Sequence, residues 1–217
     1  VRWVDDDGIC RAAHEFIDIA EASGLIVPLG RWVLAEACRH ARDWPRHQGL
    51  APTLRVNLSA RQFEQVGLVE DIARVLAETG LQPGRLCLEL TETALLADLH
   101  VAAQSLTRLR ELGIRIALDD FGIGYSSLAY LKHLPIDAIK LDRSFVAGLP
   151  SDAYDLAIVQ AIAGLASKTG IAVVAEGVET QAQAETLREC GIVRAQGFLY
   201  ARPMPAQALL QGMQAAG

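Results

Sequence analysis

The stretch Ile114-Arg115-Ile116-Ala117-Leu118-Asp119-Asp120-Phe121-Gly122-Ile123-Gly124 decides the fold. A short apolar run, Ile114 to Leu118, ends in two adjacent carboxylates and a glycine-containing loop. The run is too short and too evenly apolar for a surface helix, so it reads as a strand buried on both faces. Outward from it, the same form recurs at Leu54 to Leu58, Leu86 to Leu90, Ala138 to Leu141, Ile171 to Ala175 and, more weakly, Val193 to Gln196. Helical patterns alternate with these runs. Asp98 to Leu112 puts Leu99, Ala102, Ala103, Leu106, Leu109 and Leu112 near one face and stops at Gly113. Asp152 to Lys168 closes at Gly170, and Thr180 to Cys190 at Gly191. Ala12 to Ala22 and Arg31 to Trp44 form two more, separated by Gly24, Pro28 and Gly30. This order predicts a parallel sheet covered by helices.

An open doubly wound sheet and a closed (β/α)8 barrel both fit the alternation. The strand ends separate them. Asn57 ends the first run, Glu89 lies near the end of the second, Asp119 and Asp120 end the third, Lys140 lies in the fourth, Glu176 ends the fifth and Gln196 the last. In a barrel the C-terminal strand ends converge on one face, where active sites form. The prediction is therefore an α/β, TIM-like barrel with its chemistry at that mouth.

Composition sets the remaining bounds. The 217 residues, 51% hydrophobic and 21% charged, suffice for one domain, taken as residues 1–217, with a full core. The longest apolar stretch, Gly24 to Leu34, is interrupted by Pro28, Gly30 and Arg31 and falls short of the roughly 20 residues a membrane span needs. No membrane contact and no secretory signal are read from this segment. Cys10, Cys38, Cys87 and Cys190 are far apart in sequence, which argues for reduced thiols and a cytoplasmic domain, free-standing or part of a membrane-anchored parent. A net charge of −6 disfavours binding to a nucleic-acid polymer; a phosphorylated ligand would need local positive charge, for example from bound metal.

Three acidic strand ends and one amide form a hard oxygen-donor set suited to Mg2+ or Mn2+. Asp119 and Asp120 repel one another unless a cation offsets them, and one aspartate bridging two metals is a common arrangement in phosphodiester hydrolysis. An isolated Asp-Asp pair is more often a helix cap or turn, but this one follows a strand and precedes Phe121-Gly122-Ile123-Gly124. Lys140, flanked by Ile139 and Leu141, is a lysine in a buried strand. It requires carboxylate partners, and it could orient a metal-bound water. Glu176, in Ala175-Glu176-Gly177, is placed to serve as base or ligand. Glu92, three residues beyond Glu89, fits a supporting role.

These residues stand in a familiar order. Val56-Asn57-Leu58-Ser59-Ala60-Arg61-Gln62-Phe63, Leu88-Glu89-Leu90-Thr91-Glu92-Thr93, Ala117-Leu118-Asp119-Asp120-Phe121-Gly122-Ile123-Gly124-Tyr125-Ser126-Ser127-Leu128, Leu134-Pro135-Ile136-Asp137-Ala138-Ile139-Lys140-Leu141-Asp142, Ala175-Glu176-Gly177-Val178-Glu179-Thr180 and Gln196-Gly197-Phe198, followed by Arg202-Pro203-Met204-Pro205, resemble the successive signatures of EAL domains. The resemblance runs the length of the chain. It implies a barrel with one reversed strand that hydrolyses one phosphodiester bond of cyclic di-GMP to linear pGpG, with two Mg2+ or Mn2+ ions. By position, Asn57, Glu89, Asp119, Asp120 and Glu176 would hold the metals. Glu176 would be base, ligand or both. Lys140 would hold the nucleophilic water, and Glu92 would brace the loop from Phe121 to Ser127. Arg2, Gln196, Phe121 and Pro203 would face the substrate. A homodimer and fusion to sensory or GGDEF domains are also implied.

Two departures accompany the resemblance. The chain begins just after the Glu-Ala-Leu triplet for which the family is named, so the expectation is an EAL-type barrel without its first strand and most of its second. This implies a piece of a longer polypeptide, weakly stable and slow to turn over if it stands alone. Ile123 fills a loop position that is usually threonine or alanine. A binding module that senses cyclic di-GMP without cleaving it is the alternative reading. A barrel glycosidase is disfavoured by an aromatic content of 6%, with Trp32 and Trp44 assigned to core or interface. A protein kinase is disfavoured because Asp120-Phe121-Gly122 lacks a companion Gly-rich loop and His-Arg-Asp motif.

Overall fold

The computed structural model describes residues 1–46, 49, 51–96, 98–122 and 131–215. Six parallel strands form its centre: β3 (Leu54–Asn57), β4 (Leu86–Thr91), β5 (Arg115–Phe121), β6 (Ala138–Leu141), β7 (Ala172–Ala175) and β8 (Arg194–Ala195). They pair in sequence order, with β3 and β8 at the two edges, and curl into half of a barrel. A separate antiparallel hairpin, β1 (Arg2–Val4) with β2 (Cys10–Ala12), precedes them.

The two faces of the sheet have different compositions, and the difference places the site. Alternate residues of a strand point to opposite sides. One set, including Leu54, Val56, Leu86, Leu88, Leu90, Ile116, Leu118, Ile139, Leu141, Val173 and Ala175, belongs to the main core cluster. The other set begins with the small residues Cys87, Ala117, Ala138 and Ala172, which pack together as a second cluster. Two positions further along the strands stand Glu89, Asp119 and Lys140. Both faces are covered, which is why these strands are almost unbroken apolar runs and not alternating ones.

The helices expected from the sequence are present as α6 (Leu99–Glu111), α8 (Ala153–Thr169) and α9 (Gln181–Glu189). Asp98 caps α6 by accepting from His100 N and Val101 N at 3.0 and 3.1 Å. Thr180 and Gln183 cap α9 reciprocally.

The N-terminal helices differ from expectation. The first is a 3-10 turn, Ala13–Glu15, followed by α1 (Ile17–Ser23). The second, α2 (Ile26–Arg42), starts five residues before Arg31 and contains both Pro28 and Gly30. Pro28 is tolerated because it lies in the first turn, where backbone N–H groups have no intrahelical acceptor. Gly30 is required by a close approach: a Cβ there would lie 2.0 Å from Gln62 Nε2. Trp32, expected in a core or interface, is 55% exposed, while Trp44 packs against the core just beyond α2.

Further helices among the described residues are α3 (Ala60–Phe63), α4 (Leu68–Thr79), α5 (Glu92–Leu96), α7 (Arg143–Ala147) and α10 (Ala206–Ala215). Among the described residues no helix is long and apolar enough to cross a membrane.

Candidate active site

Strand register assembles the site. Asn57 lies beside Glu89 across β3 and β4, and Thr91 beside Asp119 across β4 and β5. Lys140 stands at the centre. Its Nζ lies 2.7 Å from Glu89 Oε2, 2.9 Å from Asp119 Oδ1 and 2.6 Å from Glu176 Oε1, and its side chain is only 5% exposed. Asn57 joins the same cluster: with its amide oriented by its neighbours, the NH2 group donates to Asp119 Oδ2 at 3.1 Å and to Glu89 Oε2 at 3.2 Å. Gln196 Nε2 donates to Glu176 Oε1 at 2.6 Å. Residues from β3, β4, β5, β6 and the segments after β7 and β8 thus meet at one mouth.

Asp119 and Asp120 would point to opposite faces of a regular strand. Here the ladder between β5 and β6 is irregular: Leu118 pairs with Ile139, but Phe121 pairs with Leu141, so β5 carries one extra residue. Asp120 takes φ 52°, a left-handed conformation that Asp and Asn tolerate better than most residues. As a result Asp119, Asp120 and Glu176 each bring a carboxylate oxygen within 4.8 Å of the others.

The electrostatics are those of a site with surplus negative charge. Burial raises the Asp120 pKa, and the Asp119 and Asp142 carboxylates raise it further against the opposing effect of Lys140. Burial also raises Glu176; Lys140 works against that rise, and Asp119 and Glu89 add to it. Burial disfavours charge on Lys140, but its three carboxylate partners outweigh burial and hold its pKa above the usual lysine range. Four carboxylates (Glu89, Asp119, Asp120, Glu176) are matched by two protein cations, Lys140 and Arg55, whose Nη1 lies 3.0 Å from Glu89 Oε1.

This donor set fits hard divalent cations: carboxylates and one amide, no thiolate or imidazole, and an uncompensated anionic balance. The amide of Asn57 would turn its oxygen, not its NH2, toward a cation. An isosteric test follows from the charge surplus. Asp120→Asn keeps the backbone conformation that asparagine also favours and removes one of the repelling carboxylates. A carboxyl pKa raised by folding makes its charged form costly, and this cost grows as pH rises through the raised value. At neutral pH the variant is therefore expected to melt at or above the temperature of the parent without metal. Its Mn2+-dependent gain in melting temperature should largely disappear, with Mn2+ affinity reduced more than about 100-fold. Thermal melts with and without Mn2+ check both.

The other expected site residues divide. Pro203 lines a groove of about 900 Å3 that opens from Glu176 and Gln196 and also contains Asp142, Arg143, Glu179 and Phe198. Arg202 sits over the Phe198 ring at 4.5 Å in the same groove. Glu92 is buried at the start of α5; most of the loop it is expected to brace, and Ile123, fall in 123–130, outside the described residues. Two of the expected substrate residues lie outside this groove. Phe121 is 2% exposed within the main core cluster, on the helix-facing side of β5, and does not face the groove. Arg2 is an exposed residue of β1 lining a different, apolar groove with Trp3, Phe16 and Trp32. The sequence reading missed Arg55 and Asp142. Each lies two residues from a site residue on the same strand or at its end, Asn57 and Lys140 respectively, and that period-2 spacing is the signal that could have found them.

Gly197 fixes the far wall of the groove. A Cβ there would fall 2.1 Å from Val178 O and 2.3 Å from Val178 N. Val178 is tied to this turn by N–H donation to Gln196 O at 3.1 Å and by acceptance from Leu199 N at 3.0 Å. Gly197→Ala must part these backbones. The expected cost is roughly 3 kcal/mol or more, measured by urea unfolding, with Gln196 displaced from Glu176.

Residues 1–203 match the EAL domain family. Over 210 residues the chain is 46% identical to the bifunctional diguanylate cyclase/cyclic di-GMP phosphodiesterase MucR of Pseudomonas aeruginosa, covering 97% of this chain and 31% of that protein. It is 42% identical over 217 residues to the cyclic di-GMP phosphodiesterase NbdA of the same organism, covering 99% of this chain and 28% of that protein. A solved structure described as the PaMucR phosphodiesterase in complex with c-di-GMP superposes with a TM-score of 0.90 at 44% identity, covering 96% of this chain and 85% of that one. The chain thus spans about a third or less of the length of these two curated relatives. The half-barrel with its acidic mouth is an EAL fold, and the chain belongs to the EAL domain family.

Proposed function

We propose that this domain hydrolyses one phosphodiester bond of cyclic di-GMP to linear pGpG, using Mg2+ or Mn2+. The observation that carries this reading is the meeting of Glu89, Asp119 and Glu176 on the single buried ammonium of Lys140, with Asn57 and Asp120 beside them. Asn57, Glu89, Asp119, Asp120 and Glu176 are the residues that would hold the metal ions. When bound, the ions offset negative charge on the phosphate and lower the pKa of the attacking water.

The chain's own residues do the rest. Glu176, a carboxylate with a raised pKa, accepts the proton of the attacking water. Gln196 and Lys140 both donate to Glu176 Oε1 and fix its orientation. The Lys140 ammonium stays charged throughout and stabilises negative charge as it builds on the phosphate oxygens. The neighbouring groove is large enough for a dinucleotide. Arg143 and Arg202 bring positive charge to it, and Phe198 and Pro203 bring apolar surface suited to a base.

The test is incubation with cyclic di-GMP and Mg2+ or Mn2+, followed by chromatography for pGpG. Product that depends on divalent cation supports the proposal. Saturable binding of cyclic di-GMP without product replaces it with a sensor, and neither binding nor product removes it.

A further inference from the structure

Arg55 makes a contact to which the proposed hydrolysis assigns no role. It lies two residues before Asn57 on β3, so the two share a face, and it is registered beside Cys87. The small residues lining that face, Cys87, Ala117, Ala138 and Ala172, leave room for a long side chain. Its guanidinium Nη1 donates to Glu89 Oε1 at 3.0 Å, and Glu89 is only 6% exposed. The other oxygen of Glu89, Oε2, takes Lys140 Nζ at 2.7 Å and the Asn57 amide at 3.2 Å. One buried carboxylate is therefore held between two protein cations, one on each oxygen. Asp119 and Glu176 meet Lys140 but, among the described ion pairs, no arginine.

The chemistry of arginine gives this contact a consequence. Guanidinium stays charged at every physiological pH, unlike a group that could release its partner by titration. It pins Oε1, so Glu89 can offer only Oε2 toward the mouth. It also places a permanent positive charge next to any divalent ion that recruits Glu89, and in a poorly solvated site that repulsion is weakly screened.

We propose that Arg55 is a positioning residue with a second effect: it is a resident counter-cation that keeps the acidic cluster assembled without metal and lowers the affinity of the site for divalent cations. This rests on the metal-site reading above. It assigns the tuning of metal affinity to a residue whose described side-chain contacts are to Glu89 and Cys87.

The test is the Mn2+ dissociation constant, by isothermal titration calorimetry at fixed pH and ionic strength, for the whole chain and for Arg55→Gln and Arg55→Lys. Arg55→Gln is expected to bind Mn2+ about tenfold more tightly than the parent. Arg55→Lys, which keeps the charge, should stay within about threefold. Without metal Arg55→Gln should melt lower, and saturating Mn2+ should return it to the parent's metal-bound value. If Arg55→Gln does not fold, Arg55→Met retains the side-chain volume against Cys87 and carries the same expectation. Parent binding of Mn2+ with equal or weaker binding by the neutral variant overturns the role of Arg55 and leaves the metal site standing. An absence of Mn2+ binding in every protein overturns the metal reading and this proposal together.

Discussion

Lys140→Met is expected to destabilise the metal-free domain by about 3–5 kcal/mol, the loss that follows when one partner of a buried ion pair is removed. Three carboxylates, Glu89, Asp119 and Glu176, lie within 2.9 Å of this one ammonium and are at most 16% exposed. Methionine fills the space of the stem but leaves the three carboxylates facing each other. Arg55 does not compensate, because among the described ion pairs it reaches only the far oxygen of Glu89 and neither Asp119 nor Glu176.

The pH dependence has a definite sign. The Lys140 pKa is held above its ordinary range, so the ammonium stays charged throughout neutral and acid pH, and at the alkaline end its contribution is lost only as pH rises through that elevated value. In the variant the carboxylates can escape mutual repulsion only by binding protons. The gap between parent and variant should therefore be widest near pH 7.5 and should narrow toward pH 5, as Glu176, already raised by burial, takes up its proton. Divalent cation supplies the missing charge, so Mn2+ should raise the melting temperature of Lys140→Met by more than it raises that of the parent. Thermal melts at both pH values, with and without Mn2+, test this. A variant as stable as the parent at pH 7.5 would show that the lysine is not what holds the cluster together.

How much of this arrangement could be read from the sequence depends on what each feature rests on. The six strands were legible because a strand buried on both faces is an apolar run whatever its neighbours do. Asn57, Glu89, Asp119, Lys140 and Glu176 were legible because each interrupts or ends such a run, and strand ends of a barrel share a mouth. Features that depend on a particular partner were not. Nothing in Pro28 and Gly30 by themselves says that a helix runs through them; the contact of Gly30 with Gln62 does. The hairpin of β1 and β2 uses three-residue strands that are mostly exposed, so no burial pattern announces it. By contrast α4 was readable and absent from the expectations: Val69, Ile72, Val75, Leu76 and Thr79 keep helical spacing and are all buried. Sequence adjacency suggested a shared site for Asp119 and Asp120, but strand alternation alone would have separated them. The extra residue in β5, seen where it pairs with β6, and the left-handed turn at Asp120 reunite them. Phe121 shows the converse. Its place in a site motif suggested substrate contact, yet the same shift in β5 returns it to the helix-facing core.

Glu176→Gln carries the largest expected effect on chemistry. Lys140 Nζ and Gln196 Nε2 both reach Oε1 of this residue at 2.6 Å. A glutamine oxygen can accept both bonds, so the shape of the mouth should persist and the melting temperature should change little. What is lost is the negative charge, and with it the capacity to take a proton, so the variant is compared with the parent at saturating Mn2+ for each. Removal of a general base commonly lowers a rate by about 10²–10⁴-fold, and pGpG formation relative to the parent should fall by that order with cyclic di-GMP affinity retained. In the parent, a general base must be ionised to act, so turnover should fall on the acid side as Glu176 takes up its proton. In the glutamine variant that acid limb should vanish from whatever activity remains. A residual rate that keeps the parent's pH profile would assign the proton transfer elsewhere, with Asp120 the next candidate because its pKa is also raised and its oxygen is within 4.8 Å. The pH profile separates these cases because replacing a residue that only supported the fold would lower the rate equally at every pH.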